Sequence, residues 1–502
     1  MARALMVQGT ASSVGKSLLV TGLCRYFSNQ GMRVRPFKAL NMALNAHVTD
    51  DGLEMARAQA VQAEAARTPA TVAMNPILLK PEGNAQSQLV LLGRARGSQS
   101  AQELFSGTRQ GLREAVLDAF NSLRDSSDLV IIEGAGSPAE VNLRARDLAN
   151  MYMAKQAGAP VLLAGDIDRG GVLAAFVGTL ELLEPEERER VAALWVNKFR
   201  GDIELLKPGL AWLSARTRKP MVGVLPHLGR LSIAEEDSLD VDARAQKPDE
   251  GRPLEIAVLR LPRISNHDEF QPFELEPEVE LRFVEDIETV LRADLLVVPG
   301  SKHTTADLAW LRARGLDHAI HLRAHQGAPI VAICGGCQML GERIQDPDHV
   351  ESSEADVTGL GILPLQTRFE RTKRTWRVGA SLNPRSWLAG EDAERHHIPG
   401  YFIHSGRTTL TTEDASCAAS VTTPDGTFPD GANVGNVFGT MVHGLFESDR
   451  VRHAALRALR NRRGLPSPFR GAVIDRDAEY ERIAEAVRAH SDCALLHRLA
   501  GL

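Results

Sequence analysis

Cysteine is scarce in this chain: five residues among 502, Cys24, Cys334, Cys337, Cys417 and Cys493. The number is odd and the spacing wide, unlike a disulfide-stapled secreted domain, so a reducing compartment, the cytoplasm, is expected. Aromatic residues are also few, at 5%, and no apolar run approaches the roughly 18 residues of a membrane span. A glycine-rich turn beginning at Gly9 leaves no room for a signal peptide, so the protein is expected to stay where it is made. Positive charge is not in excess: 58 Lys and Arg against 64 Asp and Glu give a formal net charge of −6, not the basic field that attracts nucleic acid. Neither nucleic acid nor membrane is an expected partner, which leaves small molecules. With 43% apolar and 24% charged residues, the composition is that of a globular protein, and the length exceeds one ordinary core. At least two domains follow.

Short apolar runs alternate with helical stretches over 4–8, 17–29, 33–38, 128–133, 160–165, 194–198 and 221–225, the pattern of a parallel sheet covered on both faces. The polar, proline-bearing stretch VDARAQKPDEGRP breaks it, and the alternation restarts near Leu254. The expected organisation is an α/β domain over 1–242, a linker over 243–253, a second α/β domain over 254–448 and a helical extension over 449–502. The segment 359–444 reads as further strands with loops, and the Arg-rich stretch after Asp449 as a solvated helix face.

Gly9-Thr10-Ala-Ser-Ser-Val-Gly15-Lys16-Ser17 follows an apolar strand and opens a helix, the context a phosphate-binding loop requires. Its glycines allow backbone N–H groups to close around phosphate oxygens. Lys16 supplies a point charge, and the Ser17 hydroxyl suits Mg²⁺. The glycine stands one position earlier than in the strict pattern, a spacing that resembles the dethiobiotin synthetase branch of these ATP-binding proteins. Glu133 ends the run LVIIE and Lys38 ends the second strand, both at the carboxyl edge where open α/β sheets bind ligands. Glu133 is a candidate Mg²⁺ ligand. Asp50 and Asp51 suit a second metal ligand and a turn equally. In the run GDIDRGG, Asp166 and Asp168 are candidates for the metal or substrate and Arg169 for a carboxylate, against the plainer reading of loop ion pairs.

In the second half, Cys334 ends an apolar strand and is followed by Gly335, Gly336 and a helix start. Such an elbow projects a nucleophile, while the next backbone N–H and the helix N-terminus stabilise thiolate and oxyanion. His443, at the end of the strand GTMV, is the candidate base. The turn at Gly300, Ser301 and Lys302 is positioned to complete an oxyanion hole with Gly335. Cys334 and Cys337 form a CxxC, but no second cysteine pair has metal spacing and no redox pattern surrounds it, so Cys337 reads as a small incidental side chain.

The segments MVQGTASSVGKS, FKALNMALNAHVTDDGLEMARAQ, MNPILLKP, VIIEGAGSPAEVNLRARDLANM, GDIDRGGV, VNKFRGD, PGSKHTT, ICGGCQMLG, YFIHSGRT and GTMVHGLFE, in this order, resemble the cobyric acid synthase family of glutamine-dependent amidotransferases. The resemblance implies a dethiobiotin-synthetase-like ATP domain followed by a class I glutaminase-like domain. It further implies ATP- and Mg²⁺-dependent amidation of the b, d, e and g carboxylates of adenosylcobyrinic acid a,c-diamide, with L-glutamine as nitrogen donor. It makes Cys334 the nucleophile, His443 its base and Gln338 part of the glutamine pocket. Three positions depart from the pattern. Leu445 stands where class I glutaminases usually carry Glu, Cys337 where an aromatic residue is common, and Phe402 where an acidic one is usual. With Glu447 read as a cap for the following helix, the expectation is a Cys334–His443 dyad. A related a,c-diamide synthase has different phosphate-loop and substrate motifs. A partitioning-type ATPase would carry an extra Lys early in the loop, and none lies between Gly9 and Val14.

Overall fold

A computed structural model describes residues 3–83, 86–100, 109–229, 231, 233, 251–390, 397–412, 414–466 and 468–502. The chain divides into two compact units, the first from 1–43, 55–236 and 475–502 and the second from 44–54 and 237–474, each counted over its described residues. Both are α/β, as the alternating pattern predicts.

The first unit is built on six parallel strands in the order Met221–Pro226, Val191–Phe199, Val161–Asp166, Arg3–Gly9, Leu129–Glu133, Val34–Phe37. Successive side chains of a strand point to opposite faces. Accordingly Met6, Val130 and Ile132 enter one core while Leu5, Val7, Leu129 and Ile131 enter the other. The helix Arg109–Asp125 covers the first face with Leu112, Val116, Ala119, Phe120 and Leu123, a helical stripe. On the other face the helix Lys16–Ser28 meets the helix Arg476–Ala489. There a Cβ on Gly22 would lie 2.8 Å from side-chain carbons of Ile483 and Val487, so only glycine allows the two helices this close.

The second unit has a six-stranded sheet in the order Val279–Val284, Leu254–Leu259, Leu295–Val298, Ile330–Ile333, Val437–Thr440, Ala432–Val434. All pairs are parallel except the last. The strands expected within 359–444 form a separate sheet dominated by the long pair Leu365–Leu382 and Ile398–Leu410.

Two boundaries differ from the sequence expectation. Residues 44–54 leave the first unit and pack in the second, anchored by ion pairs of Glu54 with Lys373 and of Asp50 with Arg377, each 2.5 Å. The helical extension over 449–502 is two separate pieces. The helix Asp449–Arg463 buries Val451, Ala455, Leu456 and Leu459 in the second unit's core. The helices Arg476–Ala489 and Cys493–Leu499 belong to the first unit. Each of the last two is N-capped by an aspartate: Asp475 accepts from Ala478 N and Asp492 from Leu495 N. The buried Arg25 holds the first of them down through ion pairs with Asp477 and Glu481. Of the linker expected over 243–253, residues 243–250 lie outside the described residues. Among the described residues no helix is long and apolar enough to cross a membrane.

Because Ile483 is fully buried between the helices, Ile483→Ala removes a core side chain without touching either candidate site. Its expected effect is a loss of about 2–5 kcal/mol for the first unit, measured by urea unfolding of the full-length protein.

Candidate active site

The phosphate-binding loop leaves the strand Arg3–Gly9 and turns into the helix Lys16–Ser28 through Gly15, which has φ +86°. A Cβ on Gly15 would fall 2.1 Å from Asn197 Nδ2, and that amide donates to the Val14 carbonyl at 2.8 Å. Lys198 donates to the Ser13 carbonyl at 2.8 Å. Asn197 and Lys198 therefore brace the loop from the strand Val191–Phe199, a support that the run VNKFRGD does not reveal by residue type. Gly9 is equally constrained, since a Cβ would meet Val14 Cγ2 at 2.6 Å. Thr10 N donates to the Ala164 carbonyl at 2.9 Å.

Glu133 is the hub of this edge. Its carboxylate, fully buried, accepts from Ser17 Oγ at 2.8 Å, Lys38 Nζ at 2.9 Å and Gln62 Nε2 at 2.5 Å. Lys16 reaches the carbonyls of Ala11 and Gly136 at 3.2 Å. The structure thus brings Gly9, Thr10, Gly15, Lys16, Ser17, Lys38 and Glu133 to one edge. Asp51 lies in the 44–54 excursion, which belongs to the second unit, and its carboxylate accepts from Thr49 Oγ1 at 2.5 Å within a turn. That bond is the one a turn makes. Asp166 pairs with Lys198 at 3.0 Å and Asp168 with Arg200 at 3.1 Å, so both act as loop ion pairs. Among the described residues no cluster of three or more His, Cys, Asp or Glu forms a ready-made metal cage.

In the second unit Cys334 sits between the strand Ile330–Ile333 and the helix Gly335–Leu340 with φ +50° and ψ −112°. A non-glycine residue in such a conformation stores on the order of 1–3 kcal/mol of strain. The two following glycines make the turn possible. A Cβ on Gly336 would lie 2.1 Å from the Val298 carbonyl oxygen, and one on Gly335 2.8 Å from Ser301 N. Gly300 packs equally tightly, with a Cβ there 3.0 Å from His443 Cε1. Gln338, one turn along, is buried; its Oε1 accepts from Thr304 Oγ1 at 3.1 Å. Its Nε2 has no hydrogen-bond partner among the described residues. Cys337 faces the core against Gly439. Burial above all, with the charges of Asp430 and Cys334, holds its thiol well above the usual range.

His443 follows the strand Val437–Thr440. Its backbone pairs with Tyr401, whose ring stacks on the imidazole at 5.3 Å and 14°. Cys334 stands close enough to His443 to act on its charge. The imidazole Nδ1 lies 2.9 Å from Glu269 Oε1, while Glu269 Oε2 accepts from Gly444 N at 2.9 Å. Burial disfavours charge on His443. The Glu269 carboxylate and Cys334 outweigh it and raise the imidazole to about 10.

The dyad expectation is thereby corrected: an acidic partner is present, but 174 positions from His443 in sequence. Glu269 lies in the 3₁₀ segment His267–Leu275, after the strand Leu254–Leu259. The signal available was the acidic pair in SNHDEF shortly past an apolar strand. Leu445 is core, and Glu447 ends the short 3₁₀ turn Leu445–Glu447. Ser448, not Glu447, is the N-cap position of the helix Asp449–Arg463, and no side-chain cap bond forms there. Phe402 packs near Phe428 and His404.

Residues 5–241 match the CobQ/CobB/MinD/ParA nucleotide binding domain family, and residues 255–451 match the CobB/CobQ-like glutamine amidotransferase domain family. The chain is 52% identical to cobyric acid synthase of Sorangium cellulosum, over 99% of this chain and 98% of that protein. It is 46% identical to that of Moorella thermoacetica, over 100% and 98%, and 47% identical to one from Dehalococcoides mccartyi, over 98% and 97%.

With Glu269→Gln, burial acts on His443 without the opposing carboxylate, so the imidazole should titrate below its position near 10 and stabilise a Cys334 thiolate less. Alkylation of Cys334 by iodoacetamide near neutral pH is expected to slow by about tenfold or more, with the imidazole followed by NMR.

Proposed function

We propose, since this chain belongs to the cobyric acid synthase family, that it amidates carboxylates of a corrinoid at the expense of ATP and glutamine. In this reading Cys334, His443 and Glu269 release the nitrogen. The observation that carries it is the buried hydrogen bond of Glu269 to His443, an imidazole whose charge Cys334 influences from a nucleophile elbow. Glu269 fixes the imidazole by holding Nδ1, so Nε2 is turned to the thiol. The Cys334 thiolate attacks the carboxamide carbon of glutamine. Gly335 N and the Gly300–Ser301 turn, packed together at the elbow, stabilise the oxyanion. His443 passes its Nε2 proton to the departing ammonia, leaving a thioester. It then takes a proton from the water that attacks the thioester, and glutamate leaves. Gln338, with its buried and unpartnered Nε2, helps to hold the substrate.

The first unit is a nucleotide-binding domain and its residues fit ATP. The loop has the left-handed glycine, buried lysine and strand-end carboxylate that a triphosphate and its cation require. Mg²⁺ would be held by Ser17 and Glu133, its remaining positions falling to phosphate and water, the usual arrangement for this ion. MgATP supplies the phosphoryl group that turns an unreactive carboxylate into an acyl phosphate open to ammonia. Lys16 and Lys38 neutralise charge at this edge. The substrate is adenosylcobyrinic acid a,c-diamide, amidated at b, d, e and g, and the setting is the cytoplasm, where Cys334 stays reduced.

Cys334→Ala is expected to abolish glutamine-supported amidation and to retain amidation with added ammonia, followed by corrinoid mass. Equal loss of both, or continued use of glutamine, refutes the nucleophile assignment. Lys16→Ala is expected to remove both activities; product formation at the unaltered rate would refute the phosphate-loop assignment.

A further inference from the structure

The excursion of residues 44–54 brings an unexpected piece of chain beside His443. The chain enters it from the strand Leu40–Met42 and leaves into the helix Arg57–Ala65. Both flanking elements belong largely to the nucleotide-binding unit, and that helix carries Gln62, bonded to Glu133. Within the second unit the excursion ends on Asn266 and His267, immediately before Glu269. Ala46 N donates to Asn266 Oδ1 at 2.9 Å, and His267 N donates to Asn45 Oδ1 at 3.2 Å. Asn45 Nδ2 lies 3.1 Å from His267 Nε2. All four residues are buried.

These bonds settle which way the Asn266 amide points. A backbone N–H needs an acceptor, so Ala46 pins Oδ1 and leaves Nδ2 facing His443 Nε2, 3.4 Å away. Asn266 is itself held in the left-handed region, with φ +52°. An amide N–H facing Nε2 suits a neutral imidazole, whose lone pair is there, and so works against the charge that Glu269 and Cys334 favour. When Cys334 gives its thiol proton to Nε2, two N–H groups face each other. The amide relieves this only by turning its oxygen toward Nε2, and the Ala46 N–H holds that oxygen.

We propose that Asn266 is a positioning residue for His443 and that residues 45–46 latch it in the orientation opposing proton transfer, so the excursion restrains glutamine hydrolysis. Withdrawal of the latch frees the amide. Because the excursion continues at both ends into the unit that carries Glu133 and Lys38, changes at that site have a covalent route to Asn266. The inference rests on the assignment of Cys334 and His443 to glutamine hydrolysis.

Two full-length variants test it. Asn266→Asp keeps the volume, tolerates the left-handed conformation and still accepts from Ala46, while offering a second oxygen to the imidazolium. Asn45→Ala loosens the latch without touching His443. Glutamate release is measured with glutamine alone and with ATP and adenosylcobyrinic acid a,c-diamide added, beside ammonia-dependent amidation. Both variants should raise release with glutamine alone by about fivefold or more and lower its stimulation by the other substrates. Ammonia-dependent amidation should stay within about twofold of the parent protein. Release from Asn266→Asp at or below the parent level overturns the proposal, whatever Asn45→Ala does. A parent protein that releases no glutamate under either condition refutes the glutaminase assignment instead.

Discussion

A parallel strand delivers its last side chains to the edge where the following helix begins, and this geometry places the chemistry of both units. In the first, Gly9, Glu133, Asp166 and Lys38 lie at or just past the ends of four of the six parallel strands. In the second, Cys334 and the Gly300 turn directly follow strands, and His443 lies a short turn past its own. The helix Lys16–Ser28 begins at the first of these edges and the Cys334 elbow stands at the second, so anions and developing negative charge are met by groups fixed in advance.

Burial then decides what those groups must do for one another. Glu133 and Glu269 are both fully removed from solvent, and a buried carboxylate without fixed donors costs several kcal/mol. Glu133 is met by a hydroxyl, an ammonium and an amide; Glu269 by an imidazole and a backbone N–H. The two sites solve the same solvation problem differently. Lys38 gives Glu133 a permanent countercharge. Glu269 is answered by His443, whose own charge depends on the proton it exchanges with Cys334. His404, three residues along the strand from Tyr401, illustrates the reverse case. Burial above all pushes its imidazole down to about 3, and its Nδ1 bonds the Gly406 carbonyl at 2.6 Å, so it stays neutral.

What was legible in the sequence follows the same division. The phosphate loop, Glu133, Lys38, Cys334 and His443 announce themselves because each ends or closely follows an apolar run, and strand ends are readable from pattern alone. Glu269 does not, because it projects from a 3₁₀ segment beyond a loop and its contact with His443 spans 174 positions. The nearest positions in sequence offer Leu445 and Glu447, whereas the pairing of His443 with Glu269 is decided by tertiary packing. The loop of Asp51 is a related case: the elements flanking it belong to the nucleotide-binding unit, but the loop itself is tied to the other unit by Glu54 and Asp50. Pairing over such distances likewise hides the return of the helix Arg476–Ala489 to Arg25.

That return has a consequence for how the protein is made. The helix Lys16–Ser28 emerges from the ribosome early, carrying an arginine that will be fully buried and an apolar face whose partners, Tyr480, Ile483, Ala484 and Val487, are translated after the whole second unit. Domains usually fold in order during synthesis, but here the first cannot close its core until the second has been released. The nascent protein therefore carries a sticky, half-covered sheet through most of its translation, and the closing event joins segments more than 450 positions apart, as the Arg25–Glu481 bond does. A truncation that removes the helices Arg476–Ala489 and Cys493–Leu499 takes these partners away and leaves Arg25 without its two carboxylates.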